Sequence, residues 1–217
     1  MEPIVVLTGD LIASTTAAPA MVDRAMQALA EAARTLGHWA GHDTRFTRFR
    51  GDGWQIYLER PELALRATLF LTAWLRACDA GLATRIAVAI ARHDHLGASG
   101  LSGASGPAFE RSGRALDTMP RSETVILDAT PDSPSPESPP SPEHPWQAAV
   151  LALAHWQASH WSREQAEAMV LALSPEAPTQ DQIALTLGIT RQAVQARLKG
   201  AGLRALQPAL AAFEGRR

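Results

Sequence analysis

The sequence predicts an α+β protein in which a ferredoxin-like, split βαβ sandwich (βαββαβ) precedes a small all-α helix-turn-helix domain. Three observations carry this expectation. Short apolar runs rich in β-branched residues alternate with amphipathic helical segments through the first 130 residues. Seven of the 15 prolines then fall between Pro131 and Pro145, where absent backbone donors and a fixed φ exclude helix and central strand. Beyond them, two helical patterns flank Gly188. The expected organisation is one domain over 1–130, a Pro-rich linker or loop over 131–145, and a helical domain over 146–217.

Each element has its own justification. Pro3–Thr8 (PIVVLT) is short, apolar and β-branched, and Gly9-Asp10 ends it as a buried strand. Ala20–Leu36 places Met21, Ala25, Ala28, Leu29, Ala32 and Leu36 at helical spacing, with Gly37 as the stop. Thr44–Phe49 and Trp54–Leu58 alternate about Gly51-Asp52-Gly53, which predicts a β-hairpin with Asp52 at its tip. Glu62–Asp79 is a second amphipathic helix, and Thr84–Ala91 (TRIAVAIA) is an almost unbroken apolar strand. A Gly/Ser-rich loop over 97–106 leads to Pro107 at a helix start, and Glu123–Leu127 is the last strand. Past the prolines, Trp146–His160 and Ser162–Leu173 read as two helices, with Ser162 as a cap.

Composition narrows the function classes. With 46% hydrophobic and 19% charged residues over 217 positions, the chain suits a globular protein and not a disordered one. Its 20 basic and 22 acidic residues give a net charge of −2, so no global positive field draws it onto nucleic acid or an anionic membrane. Any such contact must be local. Residues 146–217 are the mildly basic part, with 7 basic and 5 acidic side chains. Cys78 is the single cysteine, which excludes an internal disulfide framework and a cysteine-cluster zinc site. No apolar run approaches the roughly 18–20 residues of a membrane span, and MEPIVVLTGD has no basic segment ahead of its apolar stretch. A cytoplasmic protein without membrane contact is the expectation.

Two acids carry the chemical interest. Asp10 ends the first strand and Asp52 tips the hairpin, so a sheet that pairs the two elements brings them face to face. Strand-end carboxylates offer the hard oxygens that suit Mg2+ or Mn2+ together with nucleotide phosphates. Each acid taken alone also reads as an ordinary Gly-Asp or Asp-Gly turn residue. The five residues after Asp10 are Leu11, Ile12, Ala13, Ser14 and Thr15. Their backbone N–H groups, in a turn entering a helix, can wrap polyphosphate oxygens.

The stretches TGDLIAST, FRGDGWQIYL, TRIAVAIA and GPAFERSGRALD resemble the palm-type domain of class III nucleotidyl cyclases. They resemble still more the SatD-like bacterial proteins, which carry a similar N-terminal domain and often a C-terminal DNA-binding helix pair. The resemblance covers most of the chain outside the proline segment. It implies that Asp10 and Asp52 are the metal-binding acids, and that Glu110 and Arg114 occupy the positions of the family's late-helix asparagine and transition-state arginine. The arginine is kept, whereas Glu110 puts a negative charge where the family orients the ribose. The family's purine-selecting lysine has no counterpart, because Lys199 is the only lysine, and Arg48 is the candidate substitute. In an active site of this type two metals activate a 3′-hydroxyl and neutralise the leaving pyrophosphate, with Arg114 clamping phosphoryl oxygens. That arginine often comes from a partner chain in the family, so the resemblance also implies a homodimer.

The segment TQDQIALTLGITRQAVQARLKGAGL follows helix-turn-helix spacing. Thr179 caps a first helix with Ile183, Ala184 and Leu187 inward, Gly188 permits the sharp turn, and Thr190 caps a second helix. Thr190, Arg191, Gln192, Gln195 and Lys199 form an exposed polar face on that second helix. Arg and Gln in such positions make bidentate contacts to guanine and adenine edges in the major groove. The plainer alternative is an αα-hairpin that only packs. The small positive excess predicts weak binding by a monomer, so two copies about 34 Å apart on a two-fold axis are expected.

The combined expectation is a regulator that senses a nucleoside triphosphate or cyclic nucleotide and binds DNA through its C-terminal helices. The alternative is an active metal-dependent nucleotidyl cyclase or nucleotidyltransferase that makes a nucleotide signal.

Overall fold

The computed structural model describes residues 2–79, 81–98, 100–129, 145–176 and 178–215. The chain forms β1 (Ile4–Leu11), α1 (Pro19–Ala40), β2 (Thr47–Phe49), β3 (Gly53–Leu58), α2 (Ala64–Ala77), β4 (Thr84–Ala91), α3 (Pro107–Thr118) and β5 (Val125–Asp128). Five further helices follow: α4 (Pro145–Ser159), α5 (Arg163–Ala172), α6 (Gln180–Leu187), α7 (Arg191–Gly200) and α8 (Leu203–Phe213). The protein is thus α+β, with a mixed sheet of order β2-β3-β1-β4-β5. β2 to β4 and β1 join through antiparallel pairs, and β5 adds to β4 in parallel.

β1 sits at the centre because its apolar run has no polar face to offer water, and a strand of that kind must be covered on both sides. Val5 and Leu7 pack with Trp54, Ile56, Leu58, Ile86 and Val88 against α1 and α2. Ile4 and Val6 pack on the other side with Tyr57, Ala91 and Phe109 of α3. α2 is buried almost all round, since it lies between the sheet and the C-terminal helices. The buried core runs on from α2 into α5, α7 and α8. Arg66 of α2, itself buried, pairs with Glu214 after α8 and donates to the Leu173 carbonyl after α5. Trp161 Nε1 reaches the Ala201 carbonyl at 2.9 Å and ties the α4–α5 corner to the end of α7. Of the expected linker, residues 131–145, all but Pro145 lie outside the described residues, and Pro145 is the first residue of α4.

Several boundaries differ from the sequence expectation, each for a local reason. α1 does not stop at Gly37 but continues to Ala40, and Gly41 ends it in the left-handed region at φ 80°. Gly37 answers a close approach instead, since a Cβ there would lie 2.7 Å from the His42 carbonyl oxygen. β2 begins only at Thr47, because Arg45 takes φ 50° and Thr44 turns its hydroxyl back to the Ala33 carbonyl. α2 begins at Ala64 after a single 3-10 turn over Pro61–Leu63. β5 spans Val125–Asp128, not Glu123–Leu127. α8 has no counterpart in the sequence reading, because Pro208 interrupts the donor pattern of an otherwise apolar, helix-spaced stretch. Among the described residues no helix is long and apolar enough to cross a membrane.

Candidate functional site

The C-terminal end of β1 carries the first candidate. In register, Asp10 lies opposite Gly53 of β3 on one side and Arg85 of β4 on the other. The Leu11 N–H bonds to the Asp52 carbonyl at 3.2 Å, so the two predicted acids are neighbours in space. Gly9 makes this end possible. A Cβ on Gly9 would meet the Trp54 indole at 2.5 Å, where Trp54 lies across the strand and donates to Thr84 Oγ1 at 2.9 Å. Thr84 in turn donates to the Asp10 carbonyl at 2.8 Å.

Neither carboxylate is idle. Arg85 grips Asp10 in a two-point fork, Nε to Oδ1 at 2.8 Å and Nη2 to Oδ2. Such a pair is strong and geometrically specific because the planar guanidinium matches the carboxylate. Its hydrogen bond to Asp10 raises the Arg85 pKa above its ordinary value, with further pull from Asp117 and Asp52. Asp52 Oδ2 accepts a hydrogen bond from the Ser14 hydroxyl. A divalent cation needs those same oxygens, and no group of three or more His, Cys, Asp or Glu side chains suited to a metal occurs among the described residues. As arranged, the donor set does not fit Mg2+ or Mn2+, since both Asp10 oxygens are held by a group that is already a cation.

The remaining residues of the expected nucleotide site are dispersed. At the end of β1 and just after it, the Leu11 and Ile12 N–H groups are spent on Asp52 and Ala83, and the Leu11 side chain is buried in the core. Ala13 takes φ 59°, and Ser14, Thr15 and Thr16 form one 3-10 turn. Arg48 lies opposite Trp54 in register and therefore on the face covered by α1 and α2, away from Asp10. There it pairs with Asp23 of α1 at 2.8 Å and donates to the Gly51 carbonyl. Glu110 and Arg114 stand one turn apart on the exposed stripe of α3. Asp117, further along that stripe, is the α3 residue whose charge reaches Arg85.

Arg85 is the residue that sequence reasoning missed. The signal was present: a lone arginine near the start of an apolar strand, TRIAVAIA, needs a partner once that strand enters a sheet.

The second candidate is the outer face of α7. Thr179 caps α6 in a reciprocal box with Gln182, and Gly188 turns the chain at φ 65°. Thr190 accepts from the Ala193 N–H as the cap of α7, so its hydroxyl is already engaged. Val194 and Leu198 are buried, and Arg197 fastens α7 to α5 through Glu167 at 3.0 Å. Arg191, Gln192, Gln195 and Lys199 are left exposed together on the opposite side. Among the described residues Arg191 has only a long, exposed pairing with Asp181 at 3.8 Å, the kind that contributes little in water.

No family model matches the chain, and no curated protein is similar to it.

Proposed function

We propose that this protein is a DNA-binding regulator whose C-terminal helices α6 and α7 act as a helix-turn-helix and whose sheet half senses a nucleotide. The observation that carries the reading is the α7 face. Two cations and two glutamines stand exposed on a helix whose other side is buried, capped at its start and braced from behind by α5. No carboxylate interrupts this face of α7. Gln and Arg read base edges, while Lys199, and Arg204 on the next helix, suit phosphates. A homodimer would place two such faces on adjacent half-sites.

The sensing role rests on the sheet. The order β2-β3-β1-β4 with antiparallel pairs supports the ferredoxin-like reading of the sheet and its likeness to cyclase domains. The Arg85–Asp10 fork favours sensing over turnover, because it satisfies the acid on which metal-dependent cyclisation would depend. Nucleotide phosphates that compete with Asp10 for the Arg85 guanidinium would exchange that fork, and such an exchange would be the means of signalling.

Two experiments test the two halves. Selection of bound DNA from a random pool, followed by footprinting, is expected to yield a defined site. Gln192→Ala and Gln195→Ala should each relax one base preference, at about 1–3 kcal/mol per lost contact. Lys199→Ala should weaken all sequences alike and lower the salt slope by about one unit. Unchanged footprints in both glutamine variants would remove the recognition helix from the account. Titration with the four triphosphates and common cyclic nucleotides, each with Mg2+, tests the sheet. Asp52→Asn should weaken nucleotide binding and leave DNA binding intact, whereas loss of folding would make Asp52 a turn residue only.

A further inference from the structure

A cavity of about 380 Å3 opens where the end of β1 and the α2–β4 connection meet α4 and the start of α5. That volume lies within the roughly 300–1,000 Å3 of sites for small organic ligands. Asp10, Asp52, Arg85 and the α7 face are not part of its lining, and Thr84 stands between it and the acids. It is therefore a separate site from those described above.

Its chemistry changes with depth. The buried lining consists of Leu75, Thr84 and His155, with Leu82 beside them half-buried. Burial lowers the His155 pKa to about 4, so this interior carries no charge at neutral pH. The exposed rim carries two arginines, Arg76 and Arg163, against one acid, Asp79. Arg163 pairs with Asp79 at 3.2 Å and with Glu167 at 3.3 Å, all partly open to water, so both contacts can be exchanged at small cost. Arg76 donates to the Ser159 carbonyl at the end of α4. An uncharged interior below a rim with excess positive charge selects a molecule that is apolar at one end and anionic at the other.

We propose that this cavity binds a small organic anion, its apolar body beside Leu75 and His155 and its anionic head between Arg76 and Arg163. The walls come from both parts of the chain, α2 and β4 on one side and α4 and α5 on the other. The ligand therefore bridges the seam that joins the sheet to the helices behind α7.

The probe is 1-anilinonaphthalene-8-sulfonate, whose fused rings and sulfonate match that description, with neutral N-phenyl-1-naphthylamine as its partner. The folded full chain should bind one sulfonate molecule with enhanced fluorescence. Arg76→Gln with Arg163→Gln should weaken the sulfonate roughly tenfold or more and leave the neutral probe unchanged. Thr72→Phe and Ser159→Phe fill the cavity from opposite walls, and each should abolish binding of both probes while circular dichroism stays native. Two filling variants keep the test decisive if one of them fails to fold. The proposal is overturned if the native chain does not bind the sulfonate, if binding survives in a folded filling variant, or if the arginine variant binds both probes as before. DNA binding is not read in any arm, so this inference and the regulator reading fail independently.

Discussion

Glu214→Ala is expected to destabilise the protein by about 3–5 kcal/mol, the cost typical of removing one partner from a buried ion pair. Arg66 and Glu214 each keep only 6% of their side-chain surface exposed, so neither can recover the lost contact from water. Burial already lowers the Arg66 pKa, the sign that its charge is out of favour there. Without Glu214, the guanidinium keeps the Leu173 carbonyl as an acceptor but loses its counter-charge. The pair joins α2 to the end of α8, and the second bond joins α2 to the end of α5. Loss should therefore be felt first as loosening of the C-terminal helices from the sheet. Urea unfolding at neutral pH measures the change, and hydrogen exchange in α8 locates it. The double replacement Arg66→Met with Glu214→Leu should recover much of the loss, because an apolar pair of similar volume removes both desolvation penalties. A fall of less than about 1 kcal/mol in Glu214→Ala would mean that water reaches the pair and that it does not fasten the two parts.

The legibility of this chain follows the physics of its signals. β4 was readable to the residue because TRIAVAIA has no polar face, and the caps of α5, α6 and α7 were readable because Ser162, Thr179 and Thr190 act on donors only three positions away. The end of α1 was not readable from Gly37, since a glycine that permits close approach looks in sequence like one that ends a helix. The proximity of Asp10 and Asp52 followed from strand and hairpin patterns. Their partners did not, because Arg85 and Ser14 meet them through register and loop conformation that no local pattern encodes. Arg48 shows the same limit: one step of β2 alternation decides which face it takes, and pairing with Trp54 puts it on the side of Asp23. The packing of the C-terminal helices onto α2 was hidden in a helix two of whose polar residues, Arg66 and Thr68, are themselves buried.

His155 gives the second large effect, a loss of stability on mild acidification. The side chain is 3% exposed on α4, with Nδ1 3.3 Å from Thr124 Oγ1 just before β5. Burial lowers its pKa from 6.5 to about 4, so the folded protein resists the proton that the unfolded chain accepts. Above about pH 6.5 the ring is neutral in both states and contributes no slope. Between there and about pH 4 the unfolded state binds more protons, and stability falls as pH falls. Below about pH 4 both states are protonated and the loss is complete, at about 3 kcal/mol from one pKa unit being 1.36 kcal/mol. About 2 kcal/mol of it should appear between about pH 7.5 and about pH 5, above the range in which most carboxylates titrate. Unfolding midpoints at those two pH values, compared between the native chain and His155→Gln, isolate the contribution, since the amide is neutral throughout. The variant should lose most of the difference. Equal losses in both proteins would show that His155 is protonated within the fold at pH 5 and that the α4–β5 seam admits water around it. A charged imidazolium there would face Arg76 and Arg163 across the cavity with Asp79 as the only acid among the described lining residues, so acid should also open the seam that the proposed ligand bridges.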